Sequence, residues 1–397
     1  MRVLLVTSRF PLPPWRGNQV RTIEWLQALR GHDLALVCPE SPGGSSGGLP
    51  ADVNHYSASV ASRSAGVVRA AVSGLPIQEG LYGSGIARRR FSGALGSWQP
   101  DVVVVQMVRC AWAAEAVWNR APALPVVFDS IDAMGLHFDR AAQAAAPLQA
   151  MAYRAEARRC RRRERALVTR AQRTVAVSER DLTALAVPAG RGRVIPVAGR
   201  HTVRTESTSG EPVILLSGNL GYRPTVLGAE WFAREVWPSL KQRMPEAKWV
   251  LAGARPARAV RRLAGLPGVE VHADVPDLEP YLQSARVAIA PMNSGSGVPM
   301  KVLEALAAGL AVVAHPWAAE GLADQGGVAV AAPADAAGWV DALERLLTDS
   351  QEARDLGERG HELWQRVYHP ERVAEQIRQV VAEAASNGMN LELGIRN

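Results

Sequence analysis

The chain has 397 residues, of which 48% are hydrophobic and 21% are charged. This length exceeds what one hydrophobic core usually serves, so we expect a globular protein of two domains. No apolar run reaches the ~18–20 residues that cross a bilayer, and residues 1–7 are too short for a signal-peptide core. Three widely separated cysteines indicate reduced thiols without metal-binding spacing. We therefore expect a cytoplasmic protein.

Charge divides the chain near its middle. Residues 1–200 contain 26 arginines, no lysine and 14 acidic residues, a net charge of +12, whereas residues 201–397 carry a net charge of −5. The densest basic cluster lies on a predicted long helix and comprises Arg154, Arg158, Arg159, Arg161, Arg162, Arg163 and Arg165. It is either a solvated helix face or a surface for an anionic membrane, where each base contributes about 1 kcal/mol. Nucleic-acid binding is disfavoured because no aromatic residues are interleaved with these arginines.

In the first half, short apolar segments alternate with helical ones, which predicts a parallel α/β sheet. The strand candidates are Val3–Thr7, Leu34–Val37, Val102–Val105, Val126–Phe128 and Thr174–Val177. Pro39–Pro50 has the composition of a loop, and Asn54–Arg69 shows no clear pattern. Thr202–Gly210 is polar and lacks periodicity, so we expect a linker there.

The second half shows the same alternation of short apolar segments and helical ones. Its strand candidates are Val213–Ser217, Lys248–Ala252, Val269–His272, Val287–Ala290, Ala311–Ala314 and Val328–Ala331. Two helices are predicted near the end, at Ala336–Leu347 and Pro370–Ala385. A break before the last helix is expected at His369, because a residue that precedes proline disfavours helix.

The most informative segment joins the strand Val287–Ala290 to the helix Lys301–Ala308. Between them, Asn293–Gly297 is rich in small residues, and glycine lets a backbone approach a ligand closely. The first amides of the helix favour an anion such as a diphosphate, and Glu304 is placed to reach a ribose diol. Gly309 closes the helix as a C-cap. A glycine-bearing connection without a ligand is the alternative.

These motifs resemble a known family. Lys301, Leu303–Ala305 and Ala307–Val313 are similar to the C-terminal signature of the family 4 glycosyltransferases, which are retaining enzymes of the GT-B fold. Val275–Leu282 resembles the family's segment near the nucleotide base. Within the family, the pattern is similar to a bacterial exopolysaccharide-type subgroup often encoded near exosortase systems.

The resemblance implies an α/β fold with two Rossmann-like domains and a cleft between them. Residues 1–200 would form the acceptor-side domain, 201–211 the linker, and 212–368 the nucleotide-sugar donor domain. Residues 369–397 would form a tail with a helix that crosses back to the N-terminal domain.

The resemblance also implies a donor site. Its residues would be Gly17, Asn18, Gly218, Tyr222, Val275, Ser294, Gly295, Ser296, Gly297, Val298 and Glu304. Arg223 would neutralise the leaving diphosphate. Lys301, one helical turn before Glu304, would be a second cation; the alternative is a surface lysine.

Acceptor-side residues are expected at strand ends of the first domain, the rim where ligands bind in doubly wound folds. Asp132 resembles the acid that the subgroup carries after the strand Val126–Phe128, and we expect it near the acceptor as a catalytic residue, with Asp129 on the acceptor side as well. Helix N-capping is the alternative for both acids. Arg21 is either a phosphate or acceptor contact or a solvated helix residue. For His137, a surface or packing role is weighed against acceptor contact.

Three positions depart from the family's usual pattern. Ser296 stands eight residues before Glu304, where an acid is common, which leaves the sugar undetermined. Gln106 ends a strand that often ends in histidine, so it can orient a hydroxyl but cannot act as a base. Gly17-Asn18 replaces the usual glycine pair.

These features predict retaining transfer of a sugar from a nucleotide-diphosphate donor to a glycan, lipid-linked or natural-product hydroxyl. Without an acidic DxD-like pair beside a donor loop, no obligatory metal is expected. A GT-B sugar-nucleotide epimerase and a noncatalytic nucleotide-sugar-binding protein remain alternatives. A nicotinamide-dependent oxidoreductase is disfavoured because neither half begins with strand, GxGxxG and helix.

Overall fold

The structure is a computed structural model. It describes residues 1–14, 16–40, 48–143, 145–199, 211–293, 298–322 and 330–392, with side chains to residue 386. These residues form two compact units, Met1–Val197 with Val373–Asn397, and Ala198–Arg372.

The first unit contains a seven-stranded sheet with the order β3-β2-β1-β4-β5-β6-β7. All neighbouring strands are parallel. The strands are β1 (Arg2–Val6), β2 (Asp33–Pro39), β3 (Asp52–Tyr56), β4 (Val102–Gln106), β5 (Val126–Ile131), β6 (Arg173–Ala176) and β7 (Gly192–Val194). Every residue of β4 and β5 is buried, as expected for central parallel strands covered on both faces.

Helices connect these strands. They are α1 (Gly17–Ala28), α2 (Val60–Val72), α3 (Ile77–Tyr82), α4 (Gly85–Trp98), α5 (Ala111–Arg120), α6 (Met134–Gln143), α7 (Pro147–Arg170) and α8 (Glu179–Leu185). A 3-10 turn, Val108–Cys110, lies between β4 and α5. The three cysteines are buried free thiols.

The second unit contains a five-stranded sheet with the order β10-β9-β8-β11-β12 and parallel neighbours throughout. Its strands are β8 (Val213–Asn219), β9 (Lys248–Ala254), β10 (Val269–Ala273), β11 (Val287–Ala290) and β12 (Ala311–Ala314). Its helices are α9 (Arg223–Trp231), α10 (Trp237–Arg243), α11 (Arg258–Arg262), α12 (Glu279–Ser284), α13 (Met300–Ala307), α14 (Pro316–Ala319), α15 (Ala336–Thr348) and α16 (Ser350–Leu363).

Alternate residues of β8 belong to different hydrophobic clusters. Ile214 and Leu216 pack into one cluster, whereas Val213 and Leu215 pack into the other. Side chains alternate between the two faces of a strand, so both faces of this sheet are covered. This double burial accounts for the nearly continuous apolar character of these strands.

The last helix is α17 (Pro370–Glu392), and its residues from Val373 onward belong to the first unit. Arg173 of β6 donates from Nε to Glu383 Oε2 at 2.8 Å. Arg378 donates from Nη1 to the carbonyl of Ala28, at the end of α1, at 3.2 Å.

The strand predictions are confirmed for β1, β2, β4, β5, β6 and β8–β12, with small shifts at their ends. Two edge strands were missed. The polar β3 (DVNHY) and the three-residue β7 both lack an apolar run, because an edge strand has less side-chain surface to bury. Ala331 of the predicted strand Val328–Ala331 bridges Val313, while residues 328 and 329 lie outside the described residues. The predicted linker, 202–210, also lies outside them.

The arginine cluster of α7 is divided between two environments. Arg163 is mostly buried and pairs with Glu79 at 2.6 Å and Glu115 at 2.9 Å, so a solvated role is wrong for this residue. Arg161 pairs with Asp139. The exposed members are Arg154, Arg158, Arg162 and Arg165.

No helix in the described part of the chain is both long enough and apolar enough to span a bilayer.

The start of α6 is capped by acids from other helices. Glu164 of α7 accepts hydrogen bonds from the backbone N–H groups of Met134 at 2.7 Å and Gly135 at 3.2 Å. Asp181 accepts from the N–H of Ala133 at 3.2 Å. These contacts fix α6 directly after β5.

Burial raises the pKa of Glu164 from 4.5 to about 7. The protonated form therefore stabilises the folded state below about pH 4.5, and this contribution is lost as the pH rises to about 7. In the wild type, the unfolding free energy should fall between pH 4.5 and about pH 7. Glu164→Gln mimics the protonated form at every pH, so we expect this fall to be smaller in the variant by on the order of 2–3 kcal/mol.

Urea unfolding at several pH values and constant ionic strength measures this difference. Glu230→Gln, at an exposed position on α9, is the matched control. Equal pH slopes for wild type and Glu164→Gln would contradict the assignment.

Candidate functional site

The second sheet has one position where the strand order reverses. β9 and β10 lie on one side of β8, whereas β11 and β12 lie on the other. β8 and β11 are parallel neighbours, with Ile214 opposite Val287 and Leu215 opposite Ala288. In open parallel sheets, ligands bind outside the carboxyl ends of the strands at this switch point. A ligand-binding site is therefore expected in the segments that follow β8 and β11.

Lys301 joins these two segments. It lies in the first turn of α13, which follows β11, and its side chain is buried. Its Nζ donates to Thr225 Oγ1 of α9 at 2.9 Å and lies 3.2 Å from Met292 Sδ. Both partners are neutral. The predicted alternative of a surface lysine is therefore wrong.

Burial lowers the pKa of Lys301 from 10.5 to about 8, although the nearby charge of Glu304 opposes this shift. Lys301 is therefore a cation at neutral pH whose charge is poorly compensated. An anion placed beside it would recover favourable electrostatic energy, because Coulomb interactions are stronger in a partly desolvated site. This is the electrostatic condition for binding a phosphate.

Glu304 lies one turn after Lys301 on the same helix and is 8% exposed. Every residue of α13 from Lys301 to Ala307 is buried, so the helix is held firmly against the sheet. Gly309 follows with φ +69°, consistent with the predicted C-cap.

Gly218 lies beside the Lys301 side chain at the end of β8. It has φ +101°, and a Cβ built on it would lie 3.6 Å from Lys301 Cε. A Cβ on Gly253 of β9 would lie 1.8 Å from the Gly218 carbonyl oxygen. Glycine at these positions permits the two strand ends to approach closely.

Arg223 and Tyr222 stand at the start of α9. Tyr222 is the N-cap residue and is 48% exposed. Arg223 is exposed and makes no hydrogen bond or ion pair with any residue that the structure describes. Its guanidinium is thus accessible on the helix that carries Thr225, the partner of Lys301.

The remaining donor-side predictions lie on loops. Val275 is partly buried just after the edge strand β10, and Val298 is partly buried before α13. Ser294, Gly295, Ser296 and Gly297 lie outside the described residues.

A buried polar network occupies the corresponding switch point of the first sheet, between β1 and β4. Thr22 donates to Gln106 Oε1 at 2.7 Å, and Gln106 Nε2 donates to Asp129 Oδ2 at 3.1 Å. Arg21 contacts both Asp129 oxygens, at 3.2 and 3.4 Å, and donates to the Pro196 carbonyl at 2.9 Å. The network spans α1, β4 and β5.

This network corrects two predictions. Arg21 is 0% exposed, so its assignment as a solvated helix residue is wrong, and Asp129 is also 0% exposed. The Asp129 carboxylate bonds to Arg21 and Gln106, while Glu164 and Asp181 cap α6. N-capping by Asp129 is therefore wrong. Arg21, Asp129 and Gln106 are all buried and bonded within this network, and their expected contact with an acceptor stays a prediction.

Asp132 and His137 lie nearer to solvent. Both are partly buried, and His137 makes an edge contact with Phe138 at 5.4 Å between ring centroids. Burial lowers the pKa of His137, and the Arg109 charge lowers it further. Gly17 is exposed at the start of α1, while Asn18 accepts a hydrogen bond from Arg9 Nη1 at 3.2 Å.

Several residues near these sites were missed by the sequence analysis. Thr225 holds Lys301, and Arg9 and Arg109 follow β1 and β4 closely. A charged residue just beyond a buried strand was the available signal for the arginines. Thr225 had no comparable signal, because its partner is distant in sequence. Where side chains are described, no group of three or more His, Cys, Asp or Glu residues is arranged to hold a metal.

We expect Lys301→Met to stabilise the fold by on the order of 2 kcal/mol at pH 7, because it removes a buried charge. The folded-state pKa is below the unfolded value, so the wild-type penalty is full below about pH 8 and disappears toward pH 10.5. Chemical denaturation from pH 7 to 10 measures the difference, with Lys248→Met as a surface control. A loss of stability in Lys301→Met at pH 7 would contradict this account.

Asp129→Ala should destabilise the first unit by about 3–5 kcal/mol, because it leaves the buried Arg21 charge unpaired. The double variant Arg21→Met/Asp129→Leu should recover most of this loss, since an apolar pair needs no compensation. Urea unfolding of the single and double variants tests the coupling. A double variant no more stable than Asp129→Ala would disprove it.

Comparison with known families identifies both halves of the chain. Residues 19–198 match the family described as "Glycosyl transferase 4-like domain", and residues 211–349 match "Glycosyl transferases group 1". Together the two matches span most of the chain. No curated protein matches the sequence.

Solved structures resemble the chain along nearly its whole length. Sucrose-phosphate synthase from Thermosynechococcus elongatus has 17% identity and a TM-score of 0.73, covering 98% of this chain and 100% of its own. Anabaena HepE, in complex with UDP, has 12% identity and a TM-score of 0.67, with coverages of 96% and 100%. A glycosyltransferase from Rickettsia africae has 11% identity and a TM-score of 0.67, with coverages of 97% and 99%. At these identities the likeness concerns the fold.

The two doubly wound α/β units and these neighbours confirm the predicted GT-B fold. Both family matches follow the same division of the chain. The protein is therefore a glycosyltransferase, in which a glycosyltransferase 4-like domain precedes a group 1 domain.

Proposed function

We propose that the protein is a retaining glycosyltransferase that uses a nucleotide-diphosphate sugar. The observation that carries the donor assignment is the buried Lys301 ammonium between α9 and α13. Its neutral partners leave positive charge at the carboxyl edge of β8 and β11, where a diphosphate supplies the missing anion. We place the donor at this edge of the second unit.

Within this site, the residues divide by the part of the donor they bind. Lys301 and the exposed Arg223 bind the diphosphate, and Glu304 binds the ribose diol. We also assign Gly218, Tyr222, Val275 and Val298 to nucleotide binding, as well as residues 294–297, which lie outside the described residues. In the first unit, we assign Gly17 and Asn18 to the transferred sugar.

In the transfer step, the bond between the anomeric carbon and the diphosphate oxygen breaks, and a bond to the acceptor oxygen forms on the same face. The acceptor proton passes to the departing diphosphate. Negative charge grows on that diphosphate, so Lys301 and Arg223 stabilise the transition state more than the bound donor. No metal is needed in this scheme.

For the donor base we propose uridine. The support is that HepE, a neighbour in fold, is described in complex with UDP. We further propose a hexosyl group as the transferred sugar. Ser296 supplies no carboxylate to the sugar, which leaves sugar selection to other residues of the site.

For the acceptor we propose a hydroxyl of a glycan, lipid-linked sugar or natural product, consistent with the exopolysaccharide-type resemblance. Asp132 orients this hydroxyl, with His137 nearby. Peripheral association with an anionic membrane would use the exposed arginines of α7, Arg154, Arg158, Arg162 and Arg165.

A thermal-shift screen of UDP-, GDP- and TDP-sugars tests the donor assignment. A ligand that binds only the folded state raises stability by RT ln(1 + [L]/Kd), so the preferred base raises Tm most. Product analysis with a labelled donor then separates transfer from epimerisation. Recovery of an isomerised nucleotide sugar without transfer would replace this proposal with an epimerase.

Substitutions test the assigned roles. Arg223→Ala should lower kcat about 10²–10³-fold, the loss typical of one group that stabilises transition-state charge. Glu304→Gln should weaken nucleotide-sugar binding about 10–100-fold, because it removes a charged hydrogen-bond acceptor. Kinetics with the screened donor measure both effects.

Arg262→Ala, at an exposed position on α11, is the matched control and should behave like wild type. Unchanged kcat and KM in both Arg223→Ala and Glu304→Gln would rule out this site.

A further inference from the structure

Two arginines of the first unit follow the carboxyl ends of neighbouring strands and therefore lie at the same edge of the sheet. β1 and β4 are parallel neighbours with Val6 opposite Val105. Arg9 stands three residues after the end of β1, and Arg109 stands three residues after the end of β4. Both therefore emerge at the switch point of this sheet, near the buried network but not within it.

Arg109 is a partly buried cation whose direct partners are neutral side chains. Its Nε donates to Gln78 Oε1 at 2.5 Å, and its guanidinium carbon lies 5.9 Å from the centre of the Tyr82 ring. It has no ion pair among the residues that the structure describes. A desolvated charge held by neutral groups is costly to the fold.

Arg9 has a similar environment. Its Nη1 donates to Asn18 Oδ1 at 3.2 Å, and it likewise forms no ion pair in the described part of the chain. Burial lowers the pKa of Arg109, and the Arg9 charge lowers it further while Asp132 opposes the shift. Two guanidiniums thus act on one another, with one nearby carboxylate.

The unsatisfied groups at this edge also include neutral donors. Ser8 Oγ and Asn18 Nδ2 are buried atoms without a hydrogen-bond partner. Together with the two guanidiniums, they leave an excess of donor N–H and O–H groups. The missing partner is consequently an acceptor, and the positive charge favours an oxyanion.

The backbone around these side chains is strained. Met107, between β4 and the turn that carries Arg109, has φ +62°. Ile131, directly before Asp132, has φ +61°, which is a genuine outlier for a β-branched residue. Such strain persists where surrounding structure enforces it, commonly at ligand sites.

We infer that Arg9 and Arg109 form an oxyanion subsite that binds a phosphate or carboxylate group of the acceptor substrate, and that Asn18 Oδ1 holds Arg9 in place. The inference rests on the proposed transferase function and narrows it to acceptors that carry an anionic group. A donor diphosphate is the other possible source of the same chemistry. The following experiment separates the two sources.

Binding of inorganic phosphate is measured by thermal shift at constant ionic strength, with chloride as the compensating anion. The full chain is titrated alone and with saturating nucleoside diphosphate from the donor screen, which fills the Lys301 site. We expect phosphate to raise Tm under both conditions. If saturating nucleotide abolishes this rise, the phosphate competes at the donor site and the acceptor subsite is disproved.

Arg109→Gln and Arg9→Gln should each weaken phosphate binding at least tenfold in nucleotide-saturated protein and leave the nucleotide Kd unchanged. Arg109→Lys should recover part of the affinity, because it restores the charge without the planar guanidinium. Arg89→Gln, at an exposed position on α4, is the matched control.

If Arg109→Gln does not fold, Arg9→Gln carries the test, because Arg9 lies outside the helices and strands. Wild-type phosphate affinity in Arg9→Gln and in any folded Arg109 variant would overturn the inference. Failure of every nucleotide to bind would instead count against the donor site, and the phosphate titrations of the arginine variants would still be decisive for the subsite.

Discussion

The Lys301 ammonium, held between Thr225 and Met292, is the interaction on which the switch point of the second sheet depends. It requires β8 and β11 to be neighbours, and it requires α13 to be fully packed against the sheet. The desolvated charge of this ammonium lowers the stability of the folded state. In the transfer that we propose, this cation stands in advance where negative charge develops, so little reorganisation is needed when the diphosphate departs.

The two sheets use their switch points differently. In the second unit, one buried cation has only neutral hydrogen-bond partners. In the first unit, the buried Arg21 is matched by Asp129, while Arg9 and Arg109 lie outside that pair without a carboxylate partner of their own in the described chain. The satisfied network joins α1, β4 and β5. In our proposals, the cations without an ion pair bind anionic ligands. Similar residue types therefore serve stability at one place and binding at another.

The central strands and the last helices could be predicted because burial on both faces leaves an apolar run and because helix periodicity is local. The edge strands β3 and β7 could not, since their pairing is decided by a neighbour distant in sequence. Among the site residues, Lys301 and Glu304 were recognisable from their spacing and family pattern. Arg21 was interpreted as accessible because its partner Asp129 is 108 positions away. No local pattern reveals such a pair.

By itself, the sequence determined the alternation of strands and helices, the charge difference between the halves, and the motifs that indicate a glycosyltransferase. These follow from local periodicity, composition and short spacings. Only the tertiary structure decided which charges are buried, which are paired and which remain available. Burial and pairing depend on parallel strands that bring distant segments to one edge, and that environment distinguishes the ion-paired Arg21 from the accessible Arg223 and the buried Lys301.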